Sequence, residues 1–205
     1  MAISALPITV AETAYNVAEI GKRIIEDAAQ TLLRGTPVMF NTVNGALKAW
    51  DGASLSNAIV GISQEDGHNF ATAGPNAPTP FMPYSGVGAT LKFGNVPNEP
   101  AAINIPRGAP FVDGRLGVVP AMQSFTFRAV FGTSAGGLAP ATPTAVNVGQ
   151  NYGLTIDSNS QYFFVDVNKT GASAAVKLVS LDPADGSISG ARVLFQFLPA
   201  VVNQL

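Results

Sequence analysis

At 205 residues, with 47% apolar and only 12% charged side chains, the chain is long enough to bury a sizeable core but carries about half the roughly 25% charge of ordinary soluble domains. Its net charge of −2, with 11 scattered Lys and Arg, argues against a nucleic-acid binder, and the absence of cysteine excludes disulfides, thiolate chemistry and Cys-based zinc sites. The 21 Gly and 15 Pro stand beside 12 Phe, 4 Tyr and a single Trp, which points away from disorder; so few charges favour an oligomer or lattice component covered by partners over a free monomer.

Residues 1–12 (MAISALPITVAE) are apolar and read as an extended arm, expected to lie on a neighbouring subunit or on the chain's own barrel. Met1-Ala2-Ile3-Ser4 lacks the basic and apolar regions of a signal peptide, and no apolar run is long enough to span a membrane, so synthesis and folding in a cytoplasm are expected. A β body is expected over 13–131. Within it Ala14, Val17, Gly21, Ile24, Ala28 and Leu32 fall at helical spacing, which allows one short helix near residues 22–30. Glu26 and Asp27 sit where a helix C-terminus prefers cations, so short strands around Tyr15–Ile20 and Gln30–Leu33 are the alternative.

Leu33–Gly67 reads as three short strands. Arg34-Gly35-Thr36-Pro37 launches Val38-Met39-Phe40, and Asn44-Gly45 predicts a type I′ hairpin turn into Ala46–Trp50. Asp51-Gly52 turns again, and Ala58–Ile62 is the third strand; Trp50 and Ile59–Ile62 are expected to be buried. A shortened echo follows at Ile105–Val119, where Arg107-Gly108-Ala109-Pro110 repeats the Arg-Gly-x-Pro turn. Between the copies lies a proline-rich excursion, 68–104, with one strand expected near Val87–Phe93. Loops of this length in compact domains are usually functional.

Phe125, Phe127, Ala129 and Phe131 alternate with Ser124, Thr126, Arg128 and Val130, a period-two strand with an aromatic face. Residues 132–143 (GTSAGGLAPATP) read as a linker. A second β region spans 144–205, either separate or packed into one domain with the first, with strands at Gly153–Ile156, Tyr162–Val167, Ala174–Leu181 and Arg192–Phe197. Turns every 8–12 residues fit an all-β barrel or sandwich of short antiparallel strands, with the extended arm and long proline-rich loop as additions.

The residues offer little catalytic chemistry. His68, the one histidine, sits in a polar turn, and no Gly-x-Ser-x-Gly elbow accompanies it. Glu65, Asp66 and His68 lie close together, but no second cluster supplies further metal ligands. Asp157-Ser158-Asn159 begins like a calcium loop but lacks the glycine and the distal Glu, so it reads as a turn. Asn168-Lys169-Thr170 fits a glycosylation sequon and also reads as a turn. Nothing selects a carboxylate pair among 13 acidic residues. Tyr162, Phe163 and Phe164 are consecutive, so they are expected to pack on both sheet faces rather than form a carbohydrate platform. No catalytic, cofactor or metal residue is assigned.

Three further pieces carry a likeness: Gly35-Thr36-Pro37-Val38, Gly45–Gly52 and Ile59-Val60-Gly61-Ile62. Together with Tyr152-Gly153-Leu154-Thr155, Val165–Thr170 and Arg192-Val193-Leu194-Phe195, they resemble tailed-bacteriophage capsid decoration proteins, also called cement or head-stabilisation proteins. The resemblance covers about half the chain and rests on strand and turn patterns. It implies a structural virion protein, not an enzyme, bound to the outer capsid surface. Such a protein would bridge major capsid subunits, commonly as a homotrimer, with no nucleic-acid, membrane or cofactor partner. Contacts would then be expected at Met1–Val10, at Leu198–Leu205 and in the proline-rich excursion. Another phage part (tail, baseplate or head fibre) and a carbohydrate-binding adhesin are the alternatives; a β-barrel hydrolase would need the carboxylate pair.

Overall fold

The computed structural model describes residues 4–13, 22–27, 32–53, 55–56, 58–67, 115–134 and 137–203. The strand expected near Val87–Phe93, the excursion 68–104, His68 and Arg107 lie outside them. The described residues form twelve strands: β1 (Thr9–Thr13), β2 (Lys22–Ile25), β3 (Pro37–Phe40), β4 (Leu47–Ala49), β5 (Ile59–Ser63), β6 (Arg115–Pro120), β7 (Phe125–Ser134), β8 (Leu138–Pro140), β9 (Asn151–Ile156), β10 (Phe163–Asp166), β11 (Val176–Leu181) and β12 (Arg192–Phe197). The all-β expectation holds.

Five of these strands close on themselves in the order β7-β10-β9-β11-β12 and back to β7, forming a barrel. Its neighbours are antiparallel except β7 and β10, which run parallel through Phe131–Val165 and Gly132–Asp166. Strand alternation fills the interior. Phe125, Phe127, Ala129 and Phe131 face inward with Val193, Phe195 and Phe197, and Leu154, Val165, Val176 and Leu178 complete the core. Phe127, Phe195 and Phe197 meet in one aromatic nest, with ring centroids 5.3–5.9 Å apart. Burying each ring contributes roughly 1.5–3 kcal/mol.

The other unit is an antiparallel sheet in the order β2-β6-β5-β3-β4. It rolls until its edges meet: Glu26, just after β2, bridges Leu47 of β4, and the Asp27 N–H donates to the Leu47 carbonyl at 2.7 Å. One face holds its own core of Leu32, Val38, Leu47, Val60, Leu116 and Val118. The other, with Met39, Ile59, Ile62 and Val119, joins the barrel core, where Trp50 packs on Phe163 at 5.6 Å. Gly61 is required there, since a Cβ would run into the Val119 carbonyl and the Val118 side chain.

Three expectations change, and the arm takes one of its two expected places. The segment allowed as a helix near residues 22–30 is strand over Lys22–Ile25, because pairing with β6 supplies its backbone partners; residues 28–30 lie outside the described set. The stretch read as a linker, 132–143, carries the end of β7 and all of β8, an antiparallel pair. Of the two places expected for the arm, residues 4–13 take the chain's own barrel: β1 pairs with β7 from Thr9–Arg128 to Thr13–Phe125, Ile8 enters the main core, and Ala5 packs on Val130 and Phe164. The tail does likewise, with Val201 and Val202 buried and the Asn203 N–H on the Ile59 carbonyl at 2.8 Å.

The third change concerns Asn44-Gly45. Only Gly45 has positive φ (70°), so the turn is not type I′. The chain instead uses a longer loop that recurs three times. An Asx side chain accepts the N–H two residues on, its carbonyl accepts the N–H four residues on, and that fourth residue is left-handed. Asn41 does this with Val43 and Gly45, Asp157 with Asn159 and Gln161, and Asp182 with Ala184 and Gly186.

Candidate functional site

The polar side chains with the most defined environment lie at turns. Asp157 is 1% exposed and closes the β9–β10 loop. It accepts the Ser160 hydroxyl at 2.7 Å and the Asn159 and Ser160 N–H groups. It also accepts the Ala5 N–H at 3.2 Å, tying the arm to the barrel. Burial pushes its carboxyl up, but the hydrogen bonds from Ser160, Asn159 and Ala5 outweigh it and hold the group below its ordinary value. Asp166, fully buried, accepts the Thr155 hydroxyl at 2.7 Å and the Asn168 and Ser134 N–H groups.

A cluster of four charged side chains sits on the barrel exterior. Strand alternation turns Arg128 of β7 outward, and Arg192 begins β12 opposite Val130. Between β11 and β12 the turn Asp182–Gly186 brings two carboxylates to them. Asp182 is 0% exposed; its Oδ2 lies 2.6 Å from Arg128 Nε and 3.5 Å from Arg192 Nε. The Arg128 contact is ionic, since the Nε–H is not aimed at the oxygen. Arg192 grips Asp185 through Nε at 2.6 Å and a terminal nitrogen at 2.9 Å, and its backbone N–H adds a third bond at 3.0 Å. That guanidinium, against burial, pulls the Asp185 carboxyl down to about 2, and Asp185 in turn raises Arg192. The cluster pins the loop before β12 to the barrel wall. The Ser187 hydroxyl on the Pro143 carbonyl at 2.5 Å fixes the loop's far side.

The described residues among those considered as ligands in the sequence form no common site. Glu65 accepts the Gly117 N–H at 2.7 Å, and Asp66 accepts the Arg34 N–H at 2.7 Å, so the two carboxylates hold backbone of β6 and of the turn before β3. Among the described residues no group of three or more His, Asp or Glu could hold a metal. Asp157-Ser158-Asn159 is a turn, and Asn168 begins another. Phe163 points into the barrel and Phe164 out under Ala5, while Tyr162 packs beside it; the trio is core on both faces, as expected. The Arg128–Asp182–Arg192–Asp185 cluster was not anticipated. Its only sequence signals are the outward phase of Arg128 and the Asp-Pro-Ala-Asp-Gly turn, and neither states that the two meet.

Among the described residues the three most exposed large apolar side chains lie in connections between strands: Val43 (90% exposed), Val146 (81%, in the short 3-10 turn Ala145–Asn147) and Ile188 (62%). Among the described residues no helix is long and apolar enough to cross a membrane. Comparison with protein-family models, with curated proteins and with solved structures finds no match.

Proposed function

We propose that the protein is a structural virion component that binds the outer surface of a phage capsid and stabilises it by bridging major capsid subunits. The observation that carries this reading is the use made of the carboxylates. Asp157, Asp166 and Asp182 are buried and hold turns, and Glu65 and Asp66 hold backbone N–H groups, so charge is directed to rigidity. A cement needs a stiff body and repeated weak contacts, which a symmetric shell multiplies into avidity. Low charge, 12% of residues, suits burial on a lattice. The likeness of the strand and turn patterns to decoration proteins supports the same reading.

Because residues 4–13 and 198–203 dock on their own body, we assign capsid contact to loop side chains such as Val43, Val146 and Ile188 rather than to the chain ends. Self-association as a homotrimer belongs to the proposal, as does location on the virion surface. Among the described residues the aromatic side chains are buried or half-buried, which weighs against the adhesin alternative. The test is shell stability. Expanded heads lacking the protein should resist heat-induced DNA release better after its addition. Unchanged release from heads that have been saturated would sink the reading.

A further inference from the structure

The Asn44-Gly45 dipeptide has chemistry that its role as a turn does not exhaust. It stands at the exposed tip of the β3–β4 loop, where a Cβ on Gly45 would meet nothing within 4 Å. Asp27 reaches this tip from the other edge of the rolled sheet. Its carboxylate takes the Asn41 amide at 2.6 Å and the Asn44 amide at 2.9 Å, and its own N–H bonds the Leu47 carbonyl at 2.7 Å. Asp27 therefore clamps the seam where β2 meets β4.

We propose that Asn44 is a deamidation site whose reactivity Asp27 sets, and that its conversion opens this seam. In the reaction the Gly45 backbone nitrogen loses its proton and bonds to Asn44 Cγ. The Cγ–Nδ2 bond breaks, ammonia leaves and a cyclic imide forms. Water then adds to one imide carbonyl and the ring C–N bond breaks, giving aspartate or isoaspartate. The net change consumes a water, releases ammonia and transfers no electrons. Glycine is the follower that hinders this attack least, having no side chain.

The fold engages the reacting groups in hydrogen bonds. Asn44 Nδ2 is on Asp27, Asn44 Oδ1 accepts the Ala46 N–H at 3.0 Å, and the Gly45 N–H donates to the Asn41 carbonyl at 2.8 Å. Release from Asp27 is the first requirement for attack. In the aspartate product a carboxylate oxygen stands where the amide donor was, facing the Asp27 carboxylate; in isoaspartate the main chain runs through Cγ and the amide donor is lost as well. A hydrogen bond becomes a like-charge contact, and the seam loses one of its ties.

Ageing the folded protein at mildly alkaline pH tests this. Trypsin should release Gly35–Lys48, which carries Asn44 and, as internal reference, Asn41 followed by Thr42. The mass shift from amide to acid should accumulate at Asn44 and not at Asn41. It should be several-fold faster in Asp27→Ala. Asp27→Asn, which keeps the side chain's size and one acceptor oxygen, should show a smaller acceleration and covers the case in which Asp27→Ala does not fold. In the converted protein the Asp27 N–H should exchange with solvent faster. No conversion at Asn44, equal rates in the Asp27 variants and the parent, or conversion with unchanged exchange at Asp27 would each overturn the proposal.

Discussion

Asp185 and Asp157 make the molecule's turns sensitive to acid, and the sign follows from their environment. Both carboxyls are held below the ordinary value of 3.8, Asp185 at about 2. Their folded forms favour the anion, so the stability they add is complete above 3.8 and is lost as pH falls toward the folded value. Between those limits for Asp185, unfolding free energy from denaturant melts should fall with pH, and Asp185→Asn should show a shallower slope. An equal slope would remove Arg192 as the cause. Gln161 is a second test at this scale. It occupies, at φ 62°, the left-handed position that Gly45 and Gly186 fill in the sister loops. Its Nε2 bond to the Ser158 carbonyl, at 2.7 Å, lies on the exposed surface. A left-handed non-glycine costs about 1 kcal/mol, so Gln161→Gly should raise stability by roughly 0.5–1 kcal/mol in chemical denaturation.

At the scale of elements, β7 organises the barrel. Arg128 pairs with Thr9 on one side and Leu194 on the other, and Gly132 pairs with Pro140 and Asp166. Its aromatic alternation was legible because a period of two fixes which face each side chain takes. The linker reading of 132–143 failed because Gly, Ala and Pro carry little side-chain signal, while β8 is held by backbone pairing. Gly132 records that pairing, since a Cβ would strike Leu138. The β2 segment misled in the opposite way: helical spacing was present, but its hydrogen bonds come from β6, distant in sequence. The charged cluster was illegible for the same reason, because barrel closure alone joins β7 to the turn before β12. The arm's placement gives a prediction. Ile8 is 2% exposed in the main core, so Ile8→Ala should cost about 2–4 kcal/mol. Removing residues 1–13 should lower the melting temperature markedly; a truncated protein as stable as the parent would contradict the arm's place in the core.

Across the described residues, two rolled sheets meet in a shared hydrophobic core, the second sheet keeps a smaller core of its own, and buried carboxylates brace the turns between strands. The chain is sparsely charged, and its three most exposed large apolar side chains among the described residues, Val43, Val146 and Ile188, lie between strands. Val146→Asp with Ile188→Asp should leave stability within about 0.5 kcal/mol, as surface changes do, while weakening attachment to heads. The most direct measurement is the binding isotherm of purified protein on heads that lack it. The account predicts saturation at a fixed ratio to the major capsid subunit. Binding that never saturates, or no binding at all, would contradict it.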